Sequence, residues 1–134
     1  MTTTLSISLD VPDLEAGIRF YCTAFGLTRK SRPVAGVAVL AGAGAELCLL
    51  EKPAGSQPAP GAAELRRYER HWTPVHLDFH VDDLHRALAR AERAGAQREQ
   101  LFEDSAHGSA AFCSDPFGHG FCLLERPPRG PSHA

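Results

Sequence analysis

Residues 5–14, LSISLDVPDL, alternate between apolar and polar side chains: Leu5, Ile7, Leu9 and Val11 against Ser6, Ser8 and Asp10. Residues 75–84, VHLDFHVDDL, repeat the alternation, with Val75, Leu77, Phe79 and Val81 against His76, Asp78 and His80. A period of two is that of a strand with one apolar and one polar face. Directly after each strand the period lengthens. Leu14, Ile18, Tyr21 and Phe25 fall at helical spacing before Gly26, and Leu84, Ala87, Leu88 and Ala91 do so before Gly95. A glycine just past the last apolar position of a helix supplies a left-handed stop. Asp13 and Asp83 stand where a side-chain acceptor caps the free N–H groups of a first helical turn.

The two halves also end alike. CLLEKP (48–53) and CLLERP (122–127) match at five of six positions, in the same order after the opening strand and helix. Between helix and closing strand each half has room for two more strands, near 29–34 and 36–41 in the first half and near 97–102 and 109–114 in the second. Gly42 and Gly44 supply the turn of the first half, and DPFGHG (115–120) reads as a tight hairpin. Each half is therefore a βαβββ unit, and a fixed internal repeat of this kind determines the fold. The modules run over 4–52 and 75–126, with 53–74 between them. PAGSQPAPG (53–61) has linker composition. AAELRRYERHW (62–72) predicts a short helix that exposes Arg66, Arg67 and Arg70, or else a lid with Tyr68 or Trp72 turned inward. The tail, 127–134, is expected to be disordered.

Composition narrows the function without naming it. The chain has 134 residues, enough for one domain with its own core, and its 43% apolar and 22% charged residues suit a folded globule. A net charge of −2 gives no basic excess for nucleic acid or an anionic membrane. No apolar run approaches a membrane span, and the first residues lack the pattern of a secretory signal, so a cytoplasmic protein is expected. Cys22, Cys48, Cys113 and Cys122 are widely spaced, with no C-x-x-C pair, and read as free thiols in a reducing compartment.

The polar faces of the opening strands carry the candidate chemistry. With Leu5, Ile7, Leu77 and Phe79 packed on the helices, Ser6, Ser8, His76 and Asp78 face the open side of their sheets. In the closing strands either Cys48 and Cys122 or their neighbours Leu49 and Leu123 face that side, with the same answer in both halves. Glu51 and Glu125, the last residues of those strands, read as solvated ends. His119 reads as part of the turn, and Phe112 falls across the hairpin from Cys122 if Gly118 is left-handed.

The runs LSISLDVPDLEAGIRFYCTAFGL (5–27), HLDFHVDDLHRALARAERAGA (76–96) and FCSDPFGHGFCLLE (112–125) resemble the two modules of the vicinal oxygen chelate superfamily. Glyoxalases, bleomycin-resistance proteins and extradiol dioxygenases belong to it. The resemblance implies an α+β fold of two βαβββ modules forming a half-open mixed β-barrel around a pocket, often completed through a homodimer. It also implies a metal centre drawing one side chain from each opening and each closing strand, commonly His or Gln, Glu, His and Glu. Those places fall on Ser6, Cys48, His76 and Cys122, and only His76 keeps the usual residue type.

Glyoxalase chemistry needs a hard divalent ion and a proton-shuttling carboxylate, and extradiol cleavage needs two histidines and a carboxylate around iron. Neither set stands at the expected positions. The expectation is therefore a small-molecule-binding protein that takes an apolar or aromatic ligand, with Ser6, Cys48, Trp72, His76, Asp78, Phe112 and Cys122 around it and no resident metal. Two alternatives stay open for the metal. His76, Cys48 and Cys122 make a soft set for zinc, iron or nickel, or a two-residue shift brings Glu46 rather than Cys48 to the pocket. The competing functions are a lyase or isomerase of glyoxalase type, metal-dependent or using His76 as its catalytic group, a dioxygenase-related enzyme, and a structural subunit.

Overall fold

A computed structural model describes residues 1–104 and 106–127. The first module comprises strand β1 (Ser6–Val11), helix α1 (Leu14–Phe25) and strands β2 (Thr28–Ser31), β3 (Val37–Ala41) and β4 (Glu46–Glu51). The second repeats the order with β5 (Leu77–His80), α2 (Leu84–Ala94), β6 (Gln97–Phe102), β7 (Ser109–Ser114) and β8 (Gly120–Glu125). Their sheets run β1-β4-β3-β2 and β5-β8-β7-β6, so the duplication read from the sequence extends to strand order. In each, the opening strand pairs in parallel with the closing strand and the remaining pairs are antiparallel. The two sheets are not closed into a barrel within one chain.

The helices begin and end where their cap residues stand. Asp13 accepts the Ala16 N–H at 3.1 Å and Asp83 the Arg86 N–H at 3.1 Å. Gly26 closes α1 at φ 69°, in the left-handed region that favours glycine. Glu51 is exposed at its strand end, as expected, and Glu125 is half-buried, but both also serve a helix start. Glu51 accepts the Leu14 N–H at 2.8 Å and Glu125 the Leu84 N–H at 2.9 Å. Each carboxylate thus lies at the positive end of its own module's helix, where an anion is stabilised.

The core lies between sheets and helices. Ile18, Leu40, Leu49, Leu88 and Leu123 are buried there. The modules meet through α1 against α2 and through an aromatic cluster in which Phe25 stacks on Phe79 at 3.9 Å between centroids. Phe20 and Phe121 extend this cluster by tilted and edge contacts.

The segment 62–72 forms no helix. Arg66 donates to Asp10 at 2.8 Å and to the Gln57 carbonyl, and its side chain is mostly buried, whereas Arg67 and Arg70 are exposed as expected. Tyr68 turns inward as the lid alternative had it, donating to the Lys52 carbonyl at 2.6 Å. Trp72 does not, being 80% exposed. Burial and fixed partners outweigh a helix propensity worth only tenths of a kcal/mol per residue. Of the tail, 128–134 lie outside the described residues.

Candidate functional site

Strand alternation decides which side chains meet on the open side of each sheet. Leu47, Leu49, Phe121 and Leu123 are buried toward the helices. Their neighbours Glu46, Cys48, Gly120 and Cys122 therefore lie on the opposite, open face. Glu46 and Cys48 share that face, so no register shift is needed to bring either there, and Glu46 is paired with Lys30.

On the second sheet Asp78 and Cys122 are register partners across the parallel β5–β8 ladder. His76 precedes β5 by one residue and projects to the same side as Asp78. Its Nδ1 lies 3.0 Å from Asp78 Oδ1 and 4.0 Å from Cys122 Sγ. Burial and the Asp78 carboxylate push the Cys122 thiol up to about 11, because both disfavour a second negative charge at that place.

Phe112 is the register partner of Cys122 on its other side, as the hairpin reading expected, with Gly118 at φ 91°. A cavity of about 290 Å³ opens beside this group, lined by Arg70, Trp72, His76, Glu99, Phe112 and Cys122 among others. Phe112 is 38% exposed and makes an edge contact with Phe102 on β6. Larger grooves lie elsewhere, one of about 680 Å³ along α2, but of the converging trio that one reaches only Asp78.

Sequence reasoning missed the cavity's charged wall. Arg70 Nε and Nη2 donate to the two Glu99 carboxylate oxygens at 2.7 and 3.1 Å, and Nη1 donates to the His71 carbonyl. Hydrogen bonding to Arg70 holds the Glu99 carboxyl below its ordinary range, and the same bond raises Arg70. The guanidinium rests over Gly120, where an added Cβ would come within 2.7 Å of Nη2. The bare glycine opposite an arginine was the available signal, but only tertiary placement joins the two.

His119 belongs to the turn, as read. Asp115 accepts the Phe117 and His119 N–H groups at 2.8 and 2.9 Å, and its other oxygen meets the His119 ring at 2.7 Å and the Tyr21 hydroxyl. Burial, then the Asp115 charge, raises the Tyr21 phenol well above its ordinary value.

The four positions that the superfamily resemblance assigns to a metal do not fit a hard divalent ion. They offer a hydroxyl, two thiols and one imidazole, with no carboxylate to complete the shell such ions take. Ser6 and Cys48 lie on the first sheet. Among the described residues, His76, Asp78 and Cys122 are the group whose donor atoms lie within 4.8 Å of one another.

The profile of the glyoxalase-like domain family matches residues 6–124. No curated protein matches the chain in sequence. Among solved structures, a mutant of the fosfomycin resistance protein FosX from Listeria monocytogenes, complexed with Mn(II) and 1S,2S-dihydroxypropylphosphonic acid, superposes with a TM-score of 0.70 at 20% identity. That match covers 92% of this chain and 90% of that one. A glyoxalase-related enzyme from Fulvimarina pelagi gives 0.71 at 22% identity over 100% and 96%. Lactoylglutathione lyase from Agrobacterium tumefaciens gives 0.63 at 18% identity over 93% and 94%. At these identities the likeness is one of fold. With the family profile spanning nearly the whole of both modules, the chain belongs to the glyoxalase-like domain family of the vicinal oxygen chelate superfamily.

Proposed function

We propose that the protein binds a small apolar or aromatic molecule on the open face of its second sheet, without the four-ligand divalent centre of its superfamily. The observation that carries this is the makeup of the 290 Å³ cavity: Trp72 and Phe112 offer exposed aromatic surface beside the polar handles His76 and Cys122. Pockets of this composition gain affinity from apolar burial and orientation from a few polar groups. Ser6 and Cys48 enter the same site from the first sheet of a second copy, laid over the second sheet of its partner. The working form is thus a homodimer. It acts in the cytoplasm, where its four unpaired thiols suit a reducing medium, and no helix among the described residues is long and apolar enough to cross a membrane.

Trp72 is the chain's one tryptophan, so its fluorescence reports on the cavity directly. Titration with a panel of bicyclic aromatic compounds should quench it saturably, and Phe112→Ala should weaken binding about tenfold or more, the loss of one aromatic contact surface. Unsaturable quenching by every member of the panel would remove this reading.

One observation favours an enzymatic alternative. The Asp78 carboxylate orients the His76 ring, as an acid–base histidine requires, which suits a lyase or isomerase that moves a proton next to a carbonyl. In that case a ketone bound in the cavity would exchange its α-proton with deuterated water, and His76→Gln would abolish the exchange.

A further inference from the structure

We infer that the groove along α2 is a second ligand site, separate from the open-face cavity, and that it takes an organic phosphate with a short apolar body. Arg86, Arg90 and Arg93 bind the phosphate, and the seam between the modules receives the apolar part.

The groove has a volume of about 680 Å³ and lies where the end of α1, the β3–β4 turn and β5 meet α2. The stacked pair Phe25 and Phe79 gives it an apolar surface, with Ala24 and Ala87 beside them. Gly42 and Ala43 of the turn also line it, and neither carries a side chain long enough to fill it.

The three arginines line the groove from one stripe of α2. Arg86 and Arg90 stand four residues apart and Arg90 and Arg93 three, spacings at which like charges repel on a helix. Other arginines have carboxylate partners: Arg29 and Arg32 pair with Glu15, Arg66 with Asp10, Arg70 with Glu99 and Arg98 with Glu92. Among the described residues no carboxylate lies within ion-pair distance of Arg86, Arg90 or Arg93. Asp78 and Asp83 line the same groove, but Asp78 meets the His76 ring and Asp83 accepts the Arg86 backbone N–H. A row of guanidinium groups that opposes its own helix and lacks an inner counter-ion is fitted to an anion from outside.

Arg90 is held in place. Helix α1 has no basic residue in its last turn, and Arg90 Nε fills that role by donating to the Thr23 carbonyl at 2.6 Å. Its other N–H groups have no acceptor among the described residues. Arg86 and Arg93 flank this anchored fork at about 6 and about 4.5 Å along the helix axis. A phosphate ester suits the row, because its oxygens match the planar fork of arginine two at a time and its double charge engages more than one guanidinium.

The test is calorimetric titration of the full-length protein with hexyl phosphate at about pH 8, where a phosphate monoester is a dianion. Hexyl phosphate should bind saturably at one per chain. Inorganic phosphate and hexanol, each lacking half of the ligand, should bind at least about tenfold more weakly. The double variant Arg86→Gln/Arg93→Gln, at two exposed side chains, should weaken hexyl phosphate at least about tenfold. Arg93→Gln alone carries the comparison if the double variant does not fold by circular dichroism. Arg67→Gln, at an exposed arginine outside the groove, should leave binding as it is. Trp72 fluorescence should also stay unchanged, since Trp72 lines the other cavity. The inference is overturned if hexyl phosphate fails to saturate, if hexanol binds as tightly, or if the arginine variants bind like wild type. An equal loss in Arg67→Gln would reduce the effect to diffuse charge attraction and overturn it too. Binding that is lost in Phe112→Ala and kept in the arginine variants would move the phosphate to the open-face cavity, which removes the groove and leaves the cavity reading intact.

Discussion

At the scale of single residues, two neighbouring glycines show how space and conformation separate. Gly118 has φ 91°, and a Cβ there would lie 2.7 Å from the carbonyl oxygens of Tyr68 and Glu69, which are backbone and cannot swing aside. Gly120 has no such torsion, and its Cβ would meet only the far end of Arg70. Gly118→Ala should therefore cost about 2–4 kcal/mol in urea unfolding, whereas Gly120→Ala should cost under about 1 kcal/mol and show mainly as loss of the Arg70–Glu99 pair. Equal costs for the two would mean that the segment 62–72 does not pack on the turn as described.

Tyr21 makes a prediction in pH. Its folded pKa is raised, so the folded protein holds the phenol proton after the unfolded chain, near its ordinary value of 10.0, has begun to release it. Its contribution is fully present below about pH 10 and is lost as pH rises beyond that, by up to about 1.4 kcal/mol per pH unit. Cys113, pushed up to about 11 by burial, adds a loss of the same sign that begins near 9.0. Tyr21→Phe should cost about 1–2 kcal/mol at pH 8, where Asp115 loses one donor, and should make stability fall less steeply than wild type between pH 10 and 11. Denaturant midpoints at pH 8, 10 and 11 decide it, and parallel profiles would show that the phenol is not held neutral.

Among the elements, each module joins its closing strand to its helix through one carboxylate. Glu51 and Glu125 accept the first helical N–H of α1 and α2, so strand end and helix start are fixed together. Glu51→Ala and Glu125→Ala should each destabilise by about 1 kcal/mol, with Gln recovering part of the loss because an amide oxygen still accepts but carries no charge. Nearly all of the element order was legible in the sequence, because the periods of two and 3.6, the cap aspartates and the CLLE repeat are local signals. The glutamates were visible as repeated residues, yet their role was not, since it depends on the strand end reaching a helix 37 or 41 positions earlier in the chain. The segment 62–72 was misread for the same reason. Its propensity is helical, but Arg66, Tyr68 and Arg70 are committed to Asp10, Lys52 and Glu99, partners that no local pattern reveals. At the site, the alternation along β5 already placed His76 and Asp78 on one face, whereas pairing Asp78 with Cys122 required the parallel register.

On the scale of the whole molecule, the two modules meet through helices and aromatic rings, and in a single chain Arg66 and Arg70 of the segment 62–72 cover only part of the open sheet faces. Leu5, Val75, Trp72, Phe102 and Phe112 are exposed. A monomer that exposes this much apolar surface around a concave sheet would be unusual, and a second copy is the simplest cover: its first sheet can lie over the second sheet of its partner and the reverse, a two-fold exchange that leaves no face over. Such an arrangement would bring Ser6 and Cys48 of one chain opposite His76 and Cys122 of the other, uniting in two copies the four positions that one chain keeps apart. Sedimentation should accordingly give a dimer at micromolar concentration. Phe102→Asp, a charge placed on β6 away from the His76 group, should weaken association by about 100-fold or more while leaving each chain folded, because a buried unpaired carboxylate is costly at an interface but not on a free surface. A wild-type monomer at that concentration would mean that the open faces are covered by something other than this chain. A dimer indifferent to Phe102→Asp would place the contact on another surface and leave each cavity to be built from one chain alone.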